Sequence, residues 1–431
     1  MTTMVETMEE GSAAVERFVS DERGFNSDTE DKVVSRMRSP TDALMQLRRE
    51  GTGRFDLAVD DANLLNLEAS DDGTITMAPT MRLADTSASG ASLAADLDKR
   101  GFIPVDPSAV NQLCSLMGIA GGWKTYQKRS RPAQSFMRDV RDTFGGKSGA
   151  TKFVVRTTGD GFGNHRVEAF FDANAERPDS GRVVGGIFRA ILEKYGDVIR
   201  GVEMIRQVNT GVGSMRILFG DPVLRERTSD PMKRIYPMMD LFMSDRGNVT
   251  PEASLGLWRL WCLNGCTSKD FALARLRMDS EGGMDAFIEG AGKLVNAAIP
   301  FAHAIATRLD GLQDRPLAKS AKDTIDLIEA RGHISKGFAE DLDRYRTMGR
   351  EGEVETEWGM FNLFTDAARM RGSVASRRGV ENKGLQFALA DGGFSGVADS
   401  GFNRSQFARQ MKGIWEDAGL EIPTKAQARL N

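Results

Sequence analysis

The chain has 431 residues and a mass of 47.2 kDa, with 27% charged and 40% hydrophobic residues, a mean hydropathy of −0.35 and a formal net charge of −4. That length supports two or three folding units with a large core, and no apolar run approaches the ~18 residues a membrane span needs. Three cysteines (Cys114, Cys262, Cys266) and three scattered histidines (His165, His303, His333) exclude a disulfide scaffold and a histidine-rich metal or acid–base site, and point to a reducing cytoplasm.

Residues 1–99 hold 10 Lys/Arg against 20 Asp/Glu, a balance of −10, and the remainder carries +6. We read this part as an acidic, partly disordered arm. A helix is expected near Thr29–Glu50, capped by Ser27 or Asp28, with a short strand in Thr74–Leu83 and a linker at Ala84–Ala95. The arm solvates the chain, or its carboxylates compete for a basic groove. Met1–Gly11 lacks an apolar stretch, so no secretory signal is expected.

The body starts near Gly101. Asp106-Pro107 opens a helix with Val110, Leu113, Cys114 and Met117 on one face, ending at Gly118. Further helical stretches are expected from Trp123 and over Pro132–Phe144, the latter stopped by Gly145-Gly146. Lys152–Thr157 and His165–Asp172 read as a hairpin around Gly159–Gly163. A helix at Gly185–Tyr195 leads to a second hairpin, Val202–Val208 with Ser214–Phe219, and Arg234–Met243 is a further strand. From Lys269 to Arg371 the apolar spacing is helical, as in Leu294, Ala298, Phe301 and Ile305, with Pro316 and Gly332 as punctuation. A last helix surrounds Trp415. The expected fold is α+β: a mostly antiparallel sheet flanked by helices, with a helical C-terminal part. The domain plan is an arm (1–99), an α+β core (100–268), a helical part (269–390) and a tail (391–431).

Catalytic signatures fail on inspection. Gly146-Lys147-Ser148 ends like a phosphate-binding loop, but Arg141 stands where its first glycine belongs. The Gly159, Gly161, Gly163 run lacks a following helix. Cys262 and Cys266 have no second pair at zinc spacing and read as buried thiols. No catalytic residue, metal or cofactor is assigned.

One stretch points outward. Between Lys124 and Arg156 nine cations face two carboxylates, Asp139 and Asp142, with aromatics interleaved. Phosphates call for Lys and Arg, and unstacked bases for flat apolar faces. The expected nucleic-acid contacts are Lys124, Lys128, Arg129, Arg131, Lys147, Lys152 and Arg156 on phosphate, with Trp123 and Tyr126 stacking on bases. The bland alternative is an aromatic core beneath a solvated basic face. A second basic region (Arg369, Arg371, Arg377, Arg378, Lys383, then Arg404, Arg409, Lys412) sits in a Gly- and Ser-rich context that reads as a loop. Arg182, Arg189, Arg200, Arg206 and Arg216 add positive charge near the sheet.

Arg259-Leu-Trp-Cys262-Leu-Asn264-Gly265 matches an Arg-x-x-Cys-x-Asn-Gly element and resembles the phage/plasmid-like family called domain of unknown function 932. Ile103–Gly118, Phe153–Phe171, Ser254-x-Gly256 and the helix with Asn362 and Thr365 are similar in order, so the resemblance spans about 103–390. It departs at Asp172–Gly181, where the family has a Ser-x-Arg-Tyr turn. It implies a phage or mobile-element protein in the cytoplasm of a bacterial host. Asn264-Gly265 reads as a turn pair. Asn362 and Thr365 share a helix face and either bridge to that turn or bind a polar ligand.

Three functions follow as expectations. The first is nucleic-acid binding, with single-stranded DNA favoured, for protection or annealing by a homo-oligomer. The second is a non-enzymatic assembly or host-takeover protein that binds a phage or host protein, for which 21 methionines supply an adaptable surface. The third is a metal-dependent nucleic-acid enzyme built from distant carboxylates.

Overall fold

A computed structural model describes residues 33–417 except 53, 80–87, 147–149, 160–163, 197–198, 208–211, 222, 226–233, 260–263, 268–274, 279–281, 349–353 and 370. The first elements are β1 (Val33–Arg38), α1 (Pro40–Thr52), β2 (Arg54–Val59), a 3-10 turn (Ala62–Leu65), β3 (Leu67–Ala69), β4 (Ile75–Met77), α2 (Ala88–Arg100) and β5 (Ile103–Pro104). Then come α3 (Pro107–Leu116), α4 (Trp123–Tyr126), α5 (Pro132–Phe144), β6 (Phe153–Gly159), β7 (His165–Asp172) and α6 (Ser180–Tyr195). The chain continues with β8 (Ile199–Gln207), β9 (Gly213–Phe219), β10 (Leu224–Arg225), β11 (Arg234–Met243), β12 (Glu252–Arg259), β13 (Asn264–Thr267) and β14 (Arg275–Arg277). It ends in helices α7 (Gly283–Asp310), α8 (Ala321–Ala330), α9 (Lys336–Thr347), α10 (Glu357–Arg369), α11 (Val374–Leu389), α12 (Gly393–Ser400) and α13 (Arg404–Asp417). The architecture is α+β, with antiparallel sheets and a helical C-terminal part.

The large sheet runs β1-β8-β9-β11-β12-β13, with β10 on β11 and β14 on β12. Because side chains alternate across a strand, its two faces differ in kind. One face carries Val202, Met204, Met215, Ile217, Met239, Leu241, Ala253 and Leu255 into the main core, shared with α6 and α7. Leu294, Ala298, Phe301 and Ile305 of α7 are all buried there, as their spacing predicts. The opposite face is charged and lies under α11.

A three-stranded sheet, β2-β6-β7, forms the second layer, and a small β3-β4-β5 sheet sits beside it. Phe55, Leu57, Phe153, Val155, Val167 and Phe170 turn one face of β2-β6-β7 toward α3 and α5 in a separate core. Helix α3 has Asp106 in extended backbone at its cap and Pro107 at its first position, and it stops before Gly118 at φ +75°. Helix α5 buries Phe136, Val140 and Phe144, one stripe at a spacing of four.

Several expectations are corrected here. The acidic arm is not an appendage from Val33 onward. Strand β1 pairs with β8 and β2 pairs with β6, so this segment supplies an edge strand to two sheets. Among the described residues of the expected Thr29–Glu50 helix, β1 comes first and the helix α1 starts only at Pro40; Ser27 to Lys32 lie outside the described residues. The Ala84–Ala95 linker is helical from Ala88, where Leu93 and Asp96 are buried. The Gly/Ser-rich loop around Arg377 and Arg378 is the helix α11, because its arginines are neutralised rather than solvated.

Candidate functional site

The basic stretch divides into an inner and an outer layer. Tyr126 is 0% exposed. Its hydroxyl donates to Asp139 Oδ2 at 2.9 Å, and Arg129 Nη1 donates to the same oxygen at 3.0 Å while its guanidinium covers the Tyr126 ring. Burial pushes the Asp139 carboxyl up, but those two donors outweigh it and hold it below the usual carboxylate range. Burial, then Asp139, pushes the Tyr126 phenol up. Trp123 is half-buried, edge-on to Phe136 with centroids 5.3 Å apart. A side chain at Gly73, which has φ +96°, would come within 2.5 Å of the Trp123 indole nitrogen. These rings therefore pack the core that carries the cations. The expected stacking role of Tyr126 fails for want of an exposed face, and Trp123 offers only part of one.

Two of the expected phosphate contacts also point inward. Lys152 Nζ donates to the carbonyls of Phe144, Gly145 and Gly146 at 3.1, 3.0 and 2.7 Å, closing the C-terminus of α5. Arg156 is buried, donates to both carboxylate oxygens of Asp56 at 2.8 and 3.0 Å, and donates to the carbonyls of Pro178 and Asp245. Arg129 is committed to Asp139, and Lys147 lies outside the described residues. What stays outward is Lys124, Lys128 and Arg131, joined by Arg138 and Arg141. Arg131, Gln134, Arg138 and Arg141 fall at i, i+3, i+7 and i+10, one exposed stripe along α5 about 15 Å long. Arg138 lies 3.5 Å from Asp139, and Asp142 is exposed beside the stripe; Lys124 and Lys128 meet no carboxylate among the described residues. The helical period of 132–144 already separates this stripe from Phe136, Val140 and Phe144.

The family-like residues occupy a hairpin and a buried helix. Arg259 pairs with Asn264 and Trp258 with Gly265 across β12 and β13, so Asn264-Gly265 is strand rather than the expected turn. The connection, with Cys262, lies outside the described residues. Asn362 and Thr365 are buried in α10, which packs on β13, and Thr365 Oγ1 donates to the Asn362 carbonyl at 2.9 Å.

Two cations of the other basic region, Arg377 and Arg378, belong to a buried polar network. Register places Glu203, Arg216, Asp240 and Ser254 directly opposite one another across β8, β9, β11 and β12. Arg216 is 0% exposed and pairs with Glu203 at 3.3 Å and with Glu381 of α11. Arg378 of the same helix donates to Asp240 at 2.6 Å and to Glu252 at 3.1 Å. Arg377 lies 3.4 Å from Glu381, and the Trp258 indole donates to Glu203 at 3.1 Å. Three arginines meet four carboxylates, and burial pushes Glu381 up. This network locks α11 onto the sheet. Arg216 is part of it rather than of any positive surface; Arg182 pairs with Asp285 at 2.5 Å and Arg200 with Asp221 at 3.1 Å. Of the sheet methionines, Met238 and Met239 are fully buried and supply core, whereas Met45 on α1 and Met348 after α9 are exposed.

Among the described residues no group of three or more His, Cys, Asp or Glu is placed to hold a metal, and no helix is long and apolar enough to cross a membrane. Comparison with family models, curated proteins and solved structures returns no match.

Proposed function

We propose that the protein binds nucleic acid through its sugar–phosphate backbone, on the face formed by α4 and α5. The observation that carries this reading is the outward set Lys124, Lys128, Arg131, Arg138 and Arg141 above a rigid aromatic core. A rigid row of cations matches a polyanion without reading bases, and each phosphate engaged releases a counterion. With Tyr126 buried, base stacking contributes little, so strand preference rests on backbone geometry. The resemblance around Arg259–Gly265 supplies the setting, phage or plasmid DNA metabolism, in which protection or annealing by a homo-oligomer fits. The test is binding to a labelled single strand and to a duplex of equal length, at low and at physiological salt. Affinity for both that falls steeply with salt supports the reading. No binding at low salt refutes it.

A further inference from the structure

A cleft of about 270 Å³ opens where the β2-β6-β7 sheet meets the ends of β8, β9 and β11. Its chemistry follows from register. Arg54 pairs with Thr158, and Thr158 with Arg166, so the two arginines lie in one row on one face, two strands or about 10 Å apart. Beyond Arg166 the β6–β7 register shifts: Thr157 faces Val167 and Arg156 faces Ala169, leaving Glu168 as the extra residue of a bulge. Glu168 accepts from Arg246 Nε at 3.1 Å, and Arg54 Nη2 donates to Asp245.

Both row arginines keep donors in reserve. The Arg54 Nε lies 3.9 Å from Glu168 Oε2, too long for a hydrogen bond, and both atoms lack partners among the described residues. Arg166 is half exposed, and its ion-pair partner among the described residues is Asp106, at 3.7 Å. Arg54, Arg166 and Arg246 line the cleft with Glu168 and Asp245, and Asp106 completes the cluster, 3.0 Å from Arg246 and 3.7 Å from Arg166, so three arginines meet three carboxylates. Met204, Met215 and Met243 also line the cleft.

We propose that this cleft binds an organic phosphate monoester. Arg54 and Arg166 approach from separate strands, and a tetrahedral oxyanion has enough acceptor oxygens for both. The thioether wall receives the organic body through soft, polarisable contacts. The site does not use the α5 stripe and does not depend on it.

The test is calorimetric titration of the full-length protein with adenosine 5′-monophosphate, inorganic phosphate and adenosine. The monophosphate binds, inorganic phosphate competes with it, and adenosine is at least tenfold weaker. Arg166→Gln, at a half-exposed position, loses about tenfold or more in monophosphate affinity, the loss one charge-assisted hydrogen bond carries. Its melting temperature stays unchanged. The Arg138→Gln variant on the α5 stripe keeps full monophosphate affinity. No heat from either phosphate at millimolar concentration overturns the proposal, as does an Arg166→Gln variant that binds like the parent.

Discussion

Arg216 shows how a charge is kept where no water reaches. Carboxylates from β8 and α11 flank it, and removing one member of such a group leaves the others unpaired. Arg216→Met therefore lowers stability by about 3–5 kcal/mol, read as a fall in the urea midpoint with the m-value unchanged. Arg182→Met, at an exposed pair, costs no more than about 1 kcal/mol in the same assay. His333 works in the opposite direction. Its Nε2 accepts from the Phe402 amide at 2.8 Å, and burial, then Lys383 and Arg331, hold its pKa below the usual histidine value. A base with a depressed folded pKa stabilises fully above its unfolded value, about 6.5, and that contribution is lost as pH falls through the folded value. Stability of the parent then declines from pH 7 toward pH 5. NMR titration should place His333 below 6.5, and a value above 6.5 contradicts the assignment.

At the scale of elements, legibility tracked the kind of residue on the buried side. The α5 boundaries, the two hairpins and β11 were readable because each turns an apolar face into a core, and α5 and the hairpins carry Pro or Gly at or near their ends. Helix α11 was not. Its inner positions include Arg377, Arg378, Glu381 and Asn382, all buried, so no apolar stripe marks it, and its glycines and serines imitate a loop. The site was half legible for a related reason. A count of cations in 124–156 finds the basic stretch, but it cannot tell Arg129, folded back onto Asp139, and Arg156, whose partner is distant in sequence, from the outward Arg138 and Arg141. The partner of Arg156 lies 100 residues away, on β2.

For the whole molecule, the acidic N-terminal part belongs to the fold from Val33 onward. Residues 1–30 hold eight acidic against two basic residues, whereas 33–99 build β1 through β4 and most of α2. Deleting 1–99 removes strands from all three sheets, so that variant should lose its cooperative melting transition by circular dichroism. Deleting only 1–30 tests whether those acidic residues compete with nucleic acid, in which case affinity rises. The central claim is that the α4–α5 face binds phosphates. Its most direct test is fluorescence anisotropy of a labelled single strand across a salt series, for the parent and for Lys128→Glu/Arg131→Glu/Arg138→Glu. The account predicts weaker binding and a log–log salt slope reduced by roughly 0.7 for each phosphate no longer neutralised, about 2 when three cations are replaced. Equal affinity and an unchanged slope in the triple variant would contradict it.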